Sequence, residues 1–394
     1  MDDNNNKHIL FLARWYPNRY DSMFGLFIQR HALAVAEYQK VSVIYLHADN
    51  NLLASSDYTF SKDKISELKW YYSDKSYFFS VFDTLFKGFL FFKNLYKVYK
   101  LFLVKENKPD IVHVNILTRM GVFALFLKWR YGIPYIITEH WSRYKPENGT
   151  YTGFLRKKIT EIVVRNASAV TTVSVDLQNA MQNNNLQNSN YYTIPNVVDT
   201  DAFYPEKNKN NNKKEIVHIS CFEEKSKNIT GILRVIKALS QNRSDFICRM
   251  IGEGMDLEVS KKYAKEIGLT DEVVVFEGLK EGQDLTNLLR KGDLFLLFSN
   301  YENLPVVILE SYACGVPVAT TDVGGISEHM NADLGVMVKP NDEIAMVKAV
   351  EKILDNPRNY NTSAIRNYAT ENFSNKVVAR AFISVYNSVL NKNK

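Results

Sequence analysis

Two glutamates eight residues apart, Glu302 and Glu310, frame the stretch of this chain with the most chemical content, Ser299-Asn-Tyr-Glu302-Asn303-Leu304-Pro305-Val-Val-Ile-Leu-Glu310-Ser-Tyr-Ala-Cys-Gly315-Val-Pro317. The apolar run before it, Leu294 to Phe298, reads as a buried strand that ends in a polar turn. Pro305 stands where a first helical turn begins and a missing N–H costs least, and Gly315 stops that helix before another strand starts. Glu302 is thus expected in a loop at a strand's carboxyl end, with Glu310 about a turn and a half into the following helix and on roughly the same side. Backbone N–H groups at Asn303, Leu304 and the helix start make an anion site suited to a diphosphate. His140, after the apolar run Tyr135 to Thr138, is expected at another strand end, where ligands of α/β sheets gather, although a lone histidine is more often structural. Other chemistries are disfavoured. The first strand is followed by Arg14-Trp15-Tyr16-Pro17 in place of GxGxxG, and GxxxxGK[ST] is absent, so neither nicotinamide chemistry nor nucleoside triphosphate hydrolysis has support. Cys221, Cys248 and Cys314 stand singly, which disfavours a disulfide framework or a zinc site.

The elements that must position these residues alternate along the chain. In the first half, His8 to Ala13, Val41 to Leu46, Ile111 to Val114, Tyr135 to Thr138, Ala169 to Val173 and Tyr191 to Ile194 read as strands, with helices at about 25–38, 83–105, 119–130, 153–166 and 175–183. After the Asn-rich stretch 208–212 the alternation restarts with Glu215 to Ser220, Phe246 to Gly252, Val273 to Glu277, Leu294 to Phe298, Pro317 to Thr321 and Gly335 to Val338. A βαβ progression calls for a parallel sheet covered on both faces. The expected architecture is therefore α/β, two doubly wound Rossmann-like domains facing across a cleft: 1–200, 201–375, and a C-terminal helix at 376–394 packing back toward the first. With 394 residues, 46% of them hydrophobic, and a net charge of +6, the chain is ordinary globular protein and too weakly basic for a dedicated nucleic-acid binder.

Glu302 to Glu310 resembles the E-x7-E motif of retaining glycosyltransferases, and the residues around it resemble glycosyltransferase family 4, whose fold is GT-B. Gly25-Leu-Phe-Ile is similar to that family's glycine loop, Glu139-His140-Trp141 to its strand-end histidine, and Ile194-Pro-Asn196-Val-Val-Asp199 to its linker. Ile251-Gly252-Glu-Gly254, Phe276-Glu-Gly278 and Asp322-Val-Gly324-Gly325-Ile-Ser-Glu328 match further recurring segments in the same order. The resemblance implies transfer of a sugar from a nucleoside diphosphate donor to an acceptor hydroxyl with retention, and because no carboxylate cluster other than Asp199-Thr200-Asp201 has metal spacing, a transfer without a metal or other cofactor is expected. Carried over, Glu310 bonds the ribose hydroxyls, Glu302 contacts the donor sugar, His140 lies near the reacting carbon, and the base is read through backbone at Gly278 and Leu279. Gly25 and Gly254 belong to donor-binding loops. The family's diphosphate-gripping lysine matches Lys227 best, with Lys225 as the alternative; the arginine often found before it is missing. Asp199-Thr200-Asp201 spells the metal-binding DxD of a different glycosyltransferase fold and is read as coincidence.

The acceptor is less legible. Between Trp70 and Phe102 lie 14 of the chain's 50 aromatic residues, interleaved with lysines, too often interrupted to span a bilayer. On a helical wheel Asp83, Lys87, Lys93, Asn94, Lys97, Lys100 and Lys105 share one arc, leaving a broad apolar face. That face either packs on the domain's own sheet or seats the helix on an anionic membrane. The membrane reading, with Lys87, Lys93, Lys97 and Lys100 as contacts, pairs with a polyprenyl-linked or other glycan acceptor and a cytoplasmic enzyme peripheral on the inner face of the cell membrane. UDP is preferred to GDP as donor. Arg14, Arg119 and Arg143 are acceptor-side candidates without a motif. The competing functions are a non-catalytic membrane-associated subunit of a glycan assembly complex, and a nucleotide-sugar epimerase or phosphorylase.

Overall fold

A computed structural model describes residues 6–75, 81–207 and 212–391. It divides into two compact units, one of residues 1–173, 177–194 and 378–394, the other of 174–176 and 195–377.

The first unit is built on eight strands: β1 (His8–Ala13), β2 (Lys40–Ala48), β3 (Ser56–Lys62), β4 (Ser66–Tyr72), β5 (Ile111–Asn115), β6 (Tyr135–Glu139), β7 (Ala169–Thr172) and β8 (Tyr191–Thr193). Their spatial order is β3-β4-β2-β1-β5-β6-β7-β8. All neighbours are parallel except β3, which runs antiparallel to β4 along the edge. β1 and β5, adjacent in the sheet and far apart in sequence, pair from Ile9↔Ile111 to Ala13↔Asn115. Chain order reverses between them, which makes their carboxyl ends a topological switch point. Every residue of β1, β5, β6 and β7 is buried, the pattern of strands covered on both faces.

The second unit holds β9 (Lys214–Ile219), β10 (Phe246–Ile251), β11 (Val274–Gly278), β12 (Leu294–Leu297), β13 (Val318–Thr321) and β14 (Gly335–Val338), ordered β11-β10-β9-β12-β13-β14 and parallel throughout. Its switch point is the β9/β12 pair. His218, on β9, is fully buried and stitches the two strands together: Nδ1 bonds the Leu296 carbonyl at 2.9 Å and Nε2 the Ser220 hydroxyl at 2.7 Å. Burial pushes its pKa down to about 4, so the ring is neutral. β5 carries a counterpart, His113, whose ring meets Tyr386 of the Asn375–Asn391 helix at 2.8 Å and Thr138 at 2.5 Å.

Two readings of the sequence need correction. The helix expected at about 83–105 is present as Val81–Lys105, but the aromatic-rich stretch before it begins in a strand missing from the expected set, since Trp70 to Tyr72 end β4. Asn94 does not face water with the lysines: it is buried and accepts a hydrogen bond from Trp70 Nε1 at 3.1 Å. An indole N–H inside a core needs an acceptor, and Asn94 supplies it. The rest of that buried face, Phe91, Leu95, Val98, Tyr99 and Phe102, covers the sheet.

Candidate active site

The loops leaving β9 and β12 meet at the second switch point. After β9 a single helical turn, Glu224–Lys227, ends at Asn228 in the left-handed region, where asparagine is tolerated. The β12 exit loop is bonded to it by Asn300, whose N–H reaches the Ser226 carbonyl at 2.8 Å and whose side chain reaches the Lys225 carbonyl at 3.1 Å. These bonds bring Lys227 Nζ within 2.5 Å of Glu302 Oε1, which also accepts from the Ser299 hydroxyl at 2.8 Å. Both charged side chains are largely buried, at 16% and 9% exposure. Burial by itself would lower the Lys227 pKa, but the Glu302 carboxylate first, with Cys221 and Glu223 beside it, outweighs this and holds it above the ordinary value. Lys225, by contrast, is exposed.

Gly324 explains how Glu302 is held in place. Its φ is +64°, and a Cβ there would lie 2.1 Å from the Glu302 carbonyl oxygen, so only glycine lets the β13 exit loop pass this close. The next residue, Gly325, donates its N–H to the Asn303 carbonyl at 2.7 Å. The Leu304 carbonyl accepts from Asn196 at 2.9 Å, and Pro305 is the N-cap of the Val306–Ala313 helix. Glu310, the fifth residue of that helix, is buried at 3% exposure. Gly254 follows β10 with its α-carbon against the Phe222 backbone. Gly278 ends β11, its carbonyl accepting from the Gly252 N–H at 2.9 Å, and Leu279 beyond it is exposed. Asp199 of the DxD sequence bonds the N–H groups of Asp201 and Ala202 in a turn. Among the described residues no cluster of histidine, cysteine and acidic side chains could hold a metal.

In the first unit the organiser is Glu139, a residue that sequence reasoning treated only as the neighbour of His140. Its carboxylate is fully buried and accepts from the backbone N–H groups of Leu117, His140 and Trp141 at 3.1, 2.9 and 2.9 Å, and from the Tyr144 hydroxyl at 3.2 Å. Burial raises its pKa, and the four donors oppose that. The bond to Leu117 fixes the turn after β5, where Ile116 is held at φ +66°, a strained conformation for a β-branched residue. An acidic residue closing an otherwise uncharged buried strand, Tyr135–Glu139, was the available signal. His140 itself is buried beside the Phe27 and His31 rings, at 4.6 and 5.3 Å between centroids. Gly25, φ +69°, caps the Leu26–Ala36 helix; a Cβ on it would lie 2.4 Å from the Trp15 carbonyl carbon, so the close approach it permits is to Trp15. Trp15 in turn lies 5.1 Å from the Trp141 ring, over which Arg143 sits at 4.1 Å.

The lysines of the aromatic helix are not part of either constellation. Lys93, Lys97 and Lys100 are exposed, and Lys87 pairs with Asp83 at 3.0 Å. Among the described residues no helix is long and apolar enough to cross a membrane.

Comparison with known proteins agrees with this architecture. Residues 24–202 match the family model Glycosyltransferase Family 4, and residues 199–372 match Glycosyl transferases group 1. The chain is 24% identical over 287 residues to glycogen synthase of Mycobacterium tuberculosis, covering 71% of this chain and 69% of that one. Among solved structures, sucrose-phosphate synthase from Thermosynechococcus elongatus superimposes with a TM-score of 0.78 at 16% identity, over 98% of this chain and 100% of the other. HepE of Anabaena, in complex with UDP and glucose, superimposes with a TM-score of 0.70 at 15% identity, over 97% and 100%. The fold class is GT-B, with each unit Rossmann-like.

Proposed function

The chain belongs to the glycosyltransferases of family 4, and from that premise we propose that it moves a sugar from a nucleoside diphosphate donor to a hydroxyl of a glycan or lipid-linked glycan, retaining the anomeric configuration. The observation that carries the reading is the buried Lys227–Glu302 pair at the β9/β12 switch point. Departure of the nucleoside diphosphate builds negative charge, and a cation held in place and largely buried stabilises that charge where it develops. Lys227 fills that role. Glu302 holds the lysine in the resting site and meets donor-sugar hydroxyls when the donor arrives; Glu310 takes the ribose hydroxyls. In the first unit His140, fixed through its N–H by Glu139, is assigned to the transferred sugar. The charge of Lys227 makes a metal unnecessary at the diphosphate, and a uridine donor is favoured by the UDP bound to the structurally similar HepE.

The acceptor side includes a membrane in this proposal. Leu85, Phe89 and Tyr96 of the Val81–Lys105 helix are exposed, as are Phe126 and Trp129 of the Thr118–Tyr131 helix and Phe154, Leu155 and Ile159 of the Phe154–Asn166 helix. Across these three helices 12 lysines and arginines meet only Asp83 and Glu161. Apolar side chains among unbalanced basic charge suit an anionic lipid surface. Wild-type protein is expected to float with anionic vesicles and not with neutral ones, and Lys93, Lys97 and Lys100 changed to Glu to abolish flotation; failure of the wild type to float removes the membrane from the proposal.

The donor reading is tested by thermal unfolding against a panel of nucleoside diphosphates, because a ligand bound only by the folded state raises the midpoint. A rise selective for UDP and absent from Glu310→Ala is expected. A non-catalytic subunit, favoured by the missing arginine before Lys227, is the second reading; it predicts no rise and no release of nucleoside diphosphate from any donor.

A further inference from the structure

The first switch point carries its own cations. Arg14 leaves β1 with its N–H bonded to the Asn115 carbonyl at 3.2 Å, the last residue of β5. Four residues after Asn115, Arg119 stands in the first turn of the Thr118–Tyr131 helix, its guanidinium 5.3 Å from the centre of the Phe91 ring. Among the described residues neither arginine has a carboxylate partner, and both side chains reach solvent. Protein crowds Arg14 and the Arg119 charge lies near it, and both effects lower its pKa below the ordinary guanidinium value. Two further polar atoms at this strand end are buried and unpartnered: Asn115 Oδ1, on a residue with no exposure, and Thr118 Oγ1. Two like charges placed together at a strand end, with acceptor and hydroxyl groups unused beside them, are arranged for something absent from the chain itself.

We propose that Arg14 and Arg119 form an oxyanion site for the acceptor, selecting one that bears a phosphate or a carboxylate close to the hydroxyl that is glycosylated. A bound oxyanion neutralises the mutual repulsion and takes charge-assisted hydrogen bonds from both guanidinium groups. Asn115 Oδ1 and Thr118 Oγ1 are then available to a neighbouring ligand hydroxyl. The inference deepens the reading of the first unit as the acceptor side, and rests on it.

The test uses the full chain saturated with UDP, so that the diphosphate site is occupied, and titrates glucose 1-phosphate, glucuronate and methyl glucoside while following thermal unfolding. One or both anions are expected to raise the midpoint and the neutral glycoside to leave it unchanged; which anion does so separates a phosphate from a carboxylate acceptor. Arg14→Ala and Arg119→Ala should each weaken the apparent affinity by about tenfold or more, the loss of one charged hydrogen-bond partner. Arg119→Lys keeps the charge and loses the fork, and should fall between; it also serves if the alanine variant unfolds. Arg358→Ala, exposed in the second unit, is the control. No anion response, or an equal one in both arginine variants, overturns the proposal. A missing UDP response would sink the donor reading alone, since dependence on Arg14 and Arg119 still decides this one.

Discussion

The two switch points of this molecule are built from the same parts and solve opposite electrostatic problems. At β9/β12 the cation is internally neutralised: Lys227 is buried against Glu302 and waits with its charge satisfied. At β1/β5 the side chains of Arg14 and Arg119 reach solvent and, among the described residues, have no carboxylate partner. The difference follows from burial. A lysine removed from solvent needs a counter-charge, because an isolated buried ion is far too costly, whereas an arginine that reaches water can be left unpaired until a ligand comes. The acidic residue near the first corner, Glu139, is fully buried and accepts from backbone N–H groups, fixing loop shape in place of charge.

This contrast can be broken in several ways, beginning with the second corner. Lys227→Ala should reduce nucleoside diphosphate release from a donor sugar by about 10²–10³-fold. It should also strand Glu302 and lower stability by about 3–5 kcal/mol. Replacing the pair together, Lys227→Met with Glu302→Leu, should restore most of that stability in urea titrations while leaving the enzyme inactive. If the double variant is active, the pair is structural only.

Removing the first corner's buried carboxylate, Glu139→Ala, leaves three N–H groups without an acceptor and should cost on the order of 3 kcal/mol, measured by the same titrations. An acid titration sharpens the comparison through His218. Its pKa is about 4 in the folded chain and 6.5 for the ordinary side chain. Between those values the unfolded state binds the extra proton, so stability falls as pH drops from 6.5 toward 4, by up to about 3 kcal/mol. His218→Gln should flatten that slope; an unchanged slope would mean that other groups carry it. The smallest effect expected is at Asn94→Leu, which leaves the Trp70 N–H unpaired and should destabilise by about 1–2 kcal/mol without altering turnover.

Much of the parallel framework was legible because strands covered on both faces are continuous apolar runs, and β1, β6 and β14 can be traced almost residue for residue. The hairpin β3–β4 was not. Ser56–Lys62 is a mostly exposed edge strand whose alternation is weak, and β4 ends in aromatics that merge by composition with the helix beyond. Glu302, Glu310 and Lys227 could be singled out because they sit in a local motif. Arg14 and Arg119 stood out only as acceptor-side cations without a motif, and their pairing was not legible, since only the β1/β5 register brings together residues 105 positions apart. Asn94 was misplaced for a related reason: wheel geometry gives an angle, and the Trp70 indole decides whether a polar group at the edge of that arc turns inward.

Residues 378–394 complete a unit that begins at residue 1, with the whole of 195–377 between them. A ribosome therefore finishes the second unit before it finishes the first, and the nascent first unit must wait through the synthesis of residues 195–377 with Phe382 and Tyr386 absent from the side where His31 and His113 lie. Shortening the chain by those few turns of helix would not trim an end. It would leave the half of the protein made first as the half that never closes.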